Sequence, residues 1–333
     1  MTRRRCGVVV LFAGTLAMLN WSPCRAEPAG EGSRDAAPRY SVDAGWPQKP
    51  DEFTWAAMPG IAVDREDNVY IFTRSRPSVQ VYRPDGSLVR AWNTENPEGA
   101  HHIEIGPEGN VWTTDHKNHV VQKYTPEGKL LMTLGEAGVA GNDERHFDGP
   151  TDVTVLPGGE IFVSDGYGNR RVVRFDKSGK FVKQWDTEGE GPGQFALPHA
   201  IAADSKGRLY VADRENARIQ VFDTQGKLLV VWEKLVTPWG FYMTDRDELW
   251  VCGASPERRK VEDRWAVVPP PDQLLMKLNT EGEVLLRVPL VMTATPPGEP
   301  RELNWVHGIA VDSKGNIYLG DIQGKRAQKL SPR

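Results

Sequence analysis

Cysteine is scarce in this chain, with three among 333 residues. Two of them, Cys6 and Cys24, fall in an N-terminal stretch that reads as a removable leader, so Cys252 remains alone. A disulfide framework is therefore excluded. Long apolar runs are missing as well. The run over residues 7–19 follows Arg3, Arg4 and Arg5 and precedes Cys24-Arg25-Ala26. It is too short to span a bilayer and reads as the apolar part of a signal peptide over 1–26. There is no basic tract. Loss of the leader would remove four arginines and no acid, taking the net charge from −4 to −8. That balance excludes nucleic acid and, once the signal is cleaved, an anionic membrane as the main partner. Long helical patterns are also lacking, while 33 Gly and 25 Pro punctuate the chain at regular intervals. This argues for an all-β protein.

What the chain has instead is a repeat. The stretch LPHAIAADSKGRLYVADRENARIQVF over residues 197–222 reads as three short strands joined by Gly and Asn turns, a meander unable to bury its own faces. Six copies of this unit begin at Pro59, His101, Thr151, His199, Trp239 and His307, spaced by 42, 50, 48, 40 and 68 residues. Each copy but the last adds a fourth strand, such as LVRAW over 88–92. Four-strand units of this period predict a six-bladed β-propeller over residues 40–333. The last copy ends one strand short, and an orphan segment, Tyr40-Ser41-Val42-Asp43, stands before the first. Pairing the two closes the ring and removes two open edges. Residues 27–39 read as a disordered linker. The long fifth spacing contains an insertion over 255–272, charged and then proline-rich, between the second and third strands of its copy. It reads either as a surface excursion or as a lid carrying Trp265.

The first position of each copy carries the chemistry. Histidine occupies it in copies two, four and six (His101, His199 and His307). Alternate blades of a six-bladed ring stand about 120° apart, and this position opens the innermost strand. Three imidazoles therefore converge on the axis, a donor set suited to zinc with a fourth position left for a ligand. The other histidines (His102, His116, His119, His146) read as structural or surface residues. A second register lies fifteen residues on, with Arg74 in copy one and Arg214 in copy four, and Tyr167 one residue beyond it in copy three. Arginine clamps carboxylates, and a tyrosine beside a metal and cations is a candidate general base. The aspartates just before that register (Asp115, Asp165, Asp213, Asp321) read as turn caps.

These residues resemble the NHL-repeat propellers, and among them the peptidyl-α-hydroxyglycine α-amidating lyases, over about residues 59–330. The resemblance rests on PTDV over 150–153, SDGY over 164–167, PGQF over 192–195, Pro198-His199 and VADREN over 211–216. It implies zinc (Zn2+) on His101, His199 and His307, with Tyr167, Arg214 and Arg74 as catalytic residues. The reaction it implies is cleavage of a carbinolamide to an amide and glyoxylate. The family carries an aspartate directly after the third histidine that helps hold a structural calcium. Here that residue is Gly308, so calcium (Ca2+) is left open. The expectation is thus an exported, periplasmic or extracellular monomer acting on a small-molecule or peptide substrate. Two other readings stay open: a non-catalytic propeller binding a protein or glycan, and a lactonase-like hydrolase on a similar ring.

Overall fold

The computed structural model describes residues 40–257, 272–290 and 303–333. The expected signal peptide, the linker and most of the 255–272 insertion, Trp265 included, lie outside the described residues. Six antiparallel four-stranded sheets make six blades. Among the described residues, apart from two 3₁₀ turns, Pro97–Gly99 and Arg214–Asn216, the regular structure is all strand.

The repeat unit folds as its residues dictate. In the DSKG turns, Asp204 accepts the backbone N–H groups of Lys206 and Arg208 at 3.0 and 2.8 Å, and its other oxygen accepts the buried Tyr210 hydroxyl at 3.0 Å. Asp312 and Tyr318 repeat the arrangement in the last blade. Gly207 and Gly315 close these turns at φ +77° and +80°, a region that glycine enters without steric cost. One aspartate thus caps a hairpin and satisfies the polar end of a core tyrosine.

Burial falls from the axis outward. Inner strands such as Val306–Val311 are buried throughout, whereas the outermost strands expose residues such as Leu130, Leu229 and Val284. The hydrophobic clusters lie between neighbouring blades, so each blade is stable only against the next.

The ring closes as expected. Tyr40–Asp43 pairs antiparallel with Arg326–Pro332, Val42 facing Leu330. Tyr40 and Val42 pack against the cluster that holds Val306, Leu319 and Leu330. The insertion leaves blade 5 between its second and third strands, Leu249–Ala254 and Leu274–Leu278. Its ends are pinned where Ser255 donates its N–H and hydroxyl to Asp272 at 2.9 and 2.6 Å.

Candidate metal centre

The three histidines open the inner strands of blades 2, 4 and 6, which are Ala100–Ile105, Pro198–Ala203 and Val306–Val311. In each strand the pairing register shifts at the histidine, between Ala100 and His102, Pro198 and Ala200, and Val306 and Gly308. A β-bulge places one extra residue there and re-aims its side chain. One ring nitrogen from each histidine lies within 4.8 Å of the others, and all three side chains are buried.

The remaining ring nitrogens are held by the odd-numbered blades. His101 Nδ1 meets the Thr151 carbonyl at 2.6 Å, His199 Nδ1 the Trp239 carbonyl at 2.7 Å, and His307 Nδ1 the Pro59 carbonyl at 3.0 Å. A carbonyl only accepts, so each Nδ1 carries the proton and each Nε2 presents a lone pair. Pro59, Thr151 and Trp239 occupy the same repeat position as the histidines. The alternation in sequence is therefore an alternation of histidine and histidine-holder, which the residue types alone did not reveal. Burial, followed by the charges of His307 and His199, holds His101 well below the ordinary histidine value. Burial and then Arg214 do the same for His199. His307 is lowered to about 3 by burial, against the opposing pull of the Pro59 carbonyl. Neutral imidazoles with oriented Nε2 atoms are what a bound metal requires, so the donor set fits zinc.

The second register has a backbone cause. In five blades, the first or second residue after the second strand donates its N–H to the carbonyl two residues before the first position. These pairs are Arg74 to Ala57, His116 to Gly99, Tyr167 to Gly149, Arg214 to Leu197 and Ile322 to Trp305. That bond brings each of these residues back to the rim where the inner strand begins. Gly166 accounts for the one-residue offset of Tyr167. A Cβ at Gly166 would stand 2.0 Å from the Pro198 carbonyl oxygen, and one at Gly168 would stand 2.0 Å from the Asp148 carboxyl. Two glycines therefore let the Tyr167 loop seat between blades 3 and 4.

So placed, the Tyr167 hydroxyl stands 3.0 Å from His101 Nε2 and 3.2 Å from His199 Nε2. Both nitrogens are acceptors and the hydroxyl has one proton, so it donates to only one of them at a time. The Arg214 guanidinium lies over the Tyr167 ring, 6.0 Å from its centroid. Its Nε is engaged by Glu215 Oε1 at 2.7 Å. Arg74 Nε is engaged in the same manner by the Ala100 carbonyl at 3.0 Å. Burial lowers Arg74 from its ordinary value, with Tyr167 and Asp115 opposing. All six expected site residues thus belong to one constellation.

His116 was missed. It is buried, its Nδ1 bonded to the Gly99 carbonyl at 2.8 Å, and its ring lies 5.5 Å from those of both His101 and Tyr167. Burial and then Arg74 lower it to about 3. It stands fifteen residues after His101, the register that selected Arg74 and Arg214, and that spacing could have found it. The aspartates also do more than cap local turns. Asp213 accepts the N–H groups of Ala196 and Leu197, and Asp321 those of Asn304 and Trp305, so they anchor the chain as it enters each histidine strand.

The NHL repeat pattern matches residues 147–175 and 195–222, which include Tyr167, His199 and Arg214. Human NHL repeat-containing protein 3 is 32% identical over 314 residues, covering 88% of this chain and 84% of that protein. The chain belongs to the NHL-repeat family. Two further relatives carry amidation in their names. Rat peptidylglycine alpha-amidating monooxygenase is 48% identical over 206 residues, 52% of this chain and 21% of that protein. The Caenorhabditis elegans probable peptidyl-alpha-hydroxyglycine alpha-amidating lyase is 41% identical over 126 residues, 37% of this chain and 36% of that protein. This NHL propeller thus spans only a minor part of those two relatives.

Proposed function

We propose that this NHL propeller is an exported, zinc-dependent carbon–nitrogen lyase that cleaves a peptidyl-α-hydroxyglycine-like carbinolamide into an amide and glyoxylate. The observation that carries the reading is the Tyr167 hydroxyl, set within hydrogen-bonding distance of two Nε2 atoms of a histidine triad on the propeller axis. The names of the two amidation relatives support it.

His101, His199 and His307 would hold the metal through Nε2. Bound there, zinc supplies a Lewis acid that makes the substrate's α-hydroxyl more acidic. Tyr167, as phenolate beside the Arg214 guanidinium, accepts the hydroxyl proton. The C–N bond breaks as the C=O bond forms, and the departing amide nitrogen takes up the proton that Tyr167 accepted, so the phenolate is restored and no co-reactant is consumed. With Nε of Arg74 and of Arg214 already engaged, the terminal nitrogens of each guanidinium are left to meet the substrate carboxylate.

The substrate class is a small molecule or peptide, and the protein acts as a monomer in the periplasm or outside the cell. No helix among the described residues is long and apolar enough to cross a membrane. The deciding assay follows glyoxylate release from α-hydroxyhippurate or a peptidyl-α-hydroxyglycine by the zinc-loaded protein. Release is expected. Zinc-loaded protein that releases none from either substrate would move the reading to a non-catalytic binding propeller.

A further inference from the structure

One residue below the histidine triad, the six inner strands contribute Gly60, His102, Asp152, Ala200, Gly240 and Gly308. Only His102 and Asp152 bring functional groups to this layer. They line a small cavity under the triad together with Gly240 and Gly308. The calcium implied by the resemblance would draw on a carboxylate at position 308, and the residues here do not fit it. Position 308 is glycine, and a Cβ there would stand 2.8 Å from the Pro59 carbonyl oxygen and 3.1 Å from the Ile61 amide nitrogen. That same carbonyl holds His307 Nδ1 at 3.0 Å. A side chain at 308 would thus press on the group that orients a metal ligand.

The layer is joined in another way. His102 Nε2 faces Asp152 Oδ1 at 2.8 Å, with the carboxylate only 2% exposed. Asp152 Oδ1 also accepts the Val153 N–H at 2.6 Å, and Oδ2 accepts the Ile201 N–H from blade 4 at 3.0 Å. Glu104, two residues beyond His102, accepts the Thr154 hydroxyl and the Val155 N–H of blade 3 at 3.3 and 3.1 Å. Blades 2, 3 and 4 are therefore stitched together beneath the triad by the side chains of His102, Glu104 and Asp152, which meet both side-chain and backbone groups of the neighbouring blade. Removing either partner of such a buried pair leaves an uncompensated polar group, which is costly.

We infer that the His102–Asp152 pair is this chain's replacement for the structural calcium, making the propeller core calcium-independent. The inference stands apart from the lyase reading, because it concerns stability and ion binding rather than turnover. It is tested on zinc-loaded, calcium-stripped full-length protein by isothermal titration with calcium chloride and by thermal melting with and without calcium. No binding heat and an unchanged Tm are expected; stoichiometric binding with a raised Tm would overturn the idea. His102→Ala should lower Tm by roughly 5–10 °C with zinc content unchanged. His102→Gln, which keeps an N–H donor, should recover most of that loss. A His102→Ala protein that melts with the parent would equally overturn the assignment. Should His102→Ala fail to fold, the calcium titration of the parent still decides.

Discussion

The Thr151 carbonyl accepts the Nδ1–H of His101 at 2.6 Å, across fifty residues of sequence and one blade boundary. The same relation recurs from His199 to Trp239 and from His307 to Pro59, so every histidine of the triad is oriented by the next blade. Backbone carbonyls do this work, and substitution at Thr151 would leave the bond in place. The centre is accordingly sensitive to ligand identity and to ring closure rather than to the side chains that flank it.

Metal content follows from the donor set. Purified mature protein should contain about one zinc per chain. His199→Ala leaves two nitrogens and should lose the metal. Elemental analysis of both proteins makes the comparison, and folded parent protein without zinc, prepared without chelator, would remove the basis of the site.

Tyr167→Phe deletes one oxygen at the point where two Nε2 atoms meet it. The ring still packs against His101, His116 and His199, so fold and zinc content should survive. Glyoxylate release should fall by about 10²–10⁴-fold, the usual cost of losing a general base. Undiminished turnover would remove Tyr167 from the mechanism while leaving the lyase reading in place.

Arg214→Ala should likewise keep zinc, because no ligand changes, and lower turnover through lost orientation and charge stabilisation. Arg214→Lys should restore little. A lysine has no Nε in the position that Glu215 engages at 2.7 Å, and no planar edge to offer a carboxylate. Steady-state kinetics of the two variants separates charge from geometry; full recovery with lysine would mean that charge alone suffices.

Ring closure gives a stability prediction. Deleting the chain through Asp43 removes the strand paired with Arg326–Pro332 and uncovers the cluster that Tyr40 and Val42 cover. A few hydrogen bonds and two apolar side chains together are worth about 5 kcal/mol, which corresponds to a Tm lower by roughly 10 °C. A truncated protein that melts with the parent would show that the edge strand does not close the ring.

Acid should destabilise the metal-free protein. His116 and His307 are held at about 3 in the fold, chiefly by burial, against an ordinary value of 6.5. As pH falls below about 6.5 the unfolded chain takes up these protons and the folded chain does not, so stability declines from there towards about 3. Thermal melts of the apo protein across that range should show a falling Tm. His116→Gln should flatten the slope, because it removes one of the four buried histidines held below the ordinary value (His101, His116, His199 and His307) and leaves the triad in place. An unchanged slope would mean that His116 contributes nothing to it.

The sequence by itself determined the number of blades, their phase, the closing strand and the histidine set. These follow from local period and residue type, because a four-strand meander must repeat to bury its faces and alternate blades must converge on the axis. Tyr167, Arg74 and Arg214 were legible for the same reason, as a register fifteen or sixteen residues on. His116 shares that register and was legible there in the same way, while its bond to the Gly99 carbonyl emerged only from the fold. Which nitrogen of each histidine faces the axis was decided by the tertiary structure alone. So were the bulges that re-aim the three rings, the seat of the Tyr167 loop between Pro198 and Asp148, and the crowding around Gly308. Each depends on how closely neighbouring blades approach, a distance set by packing between residues that lie dozens to hundreds of positions apart. No local pattern of residue types encodes that distance.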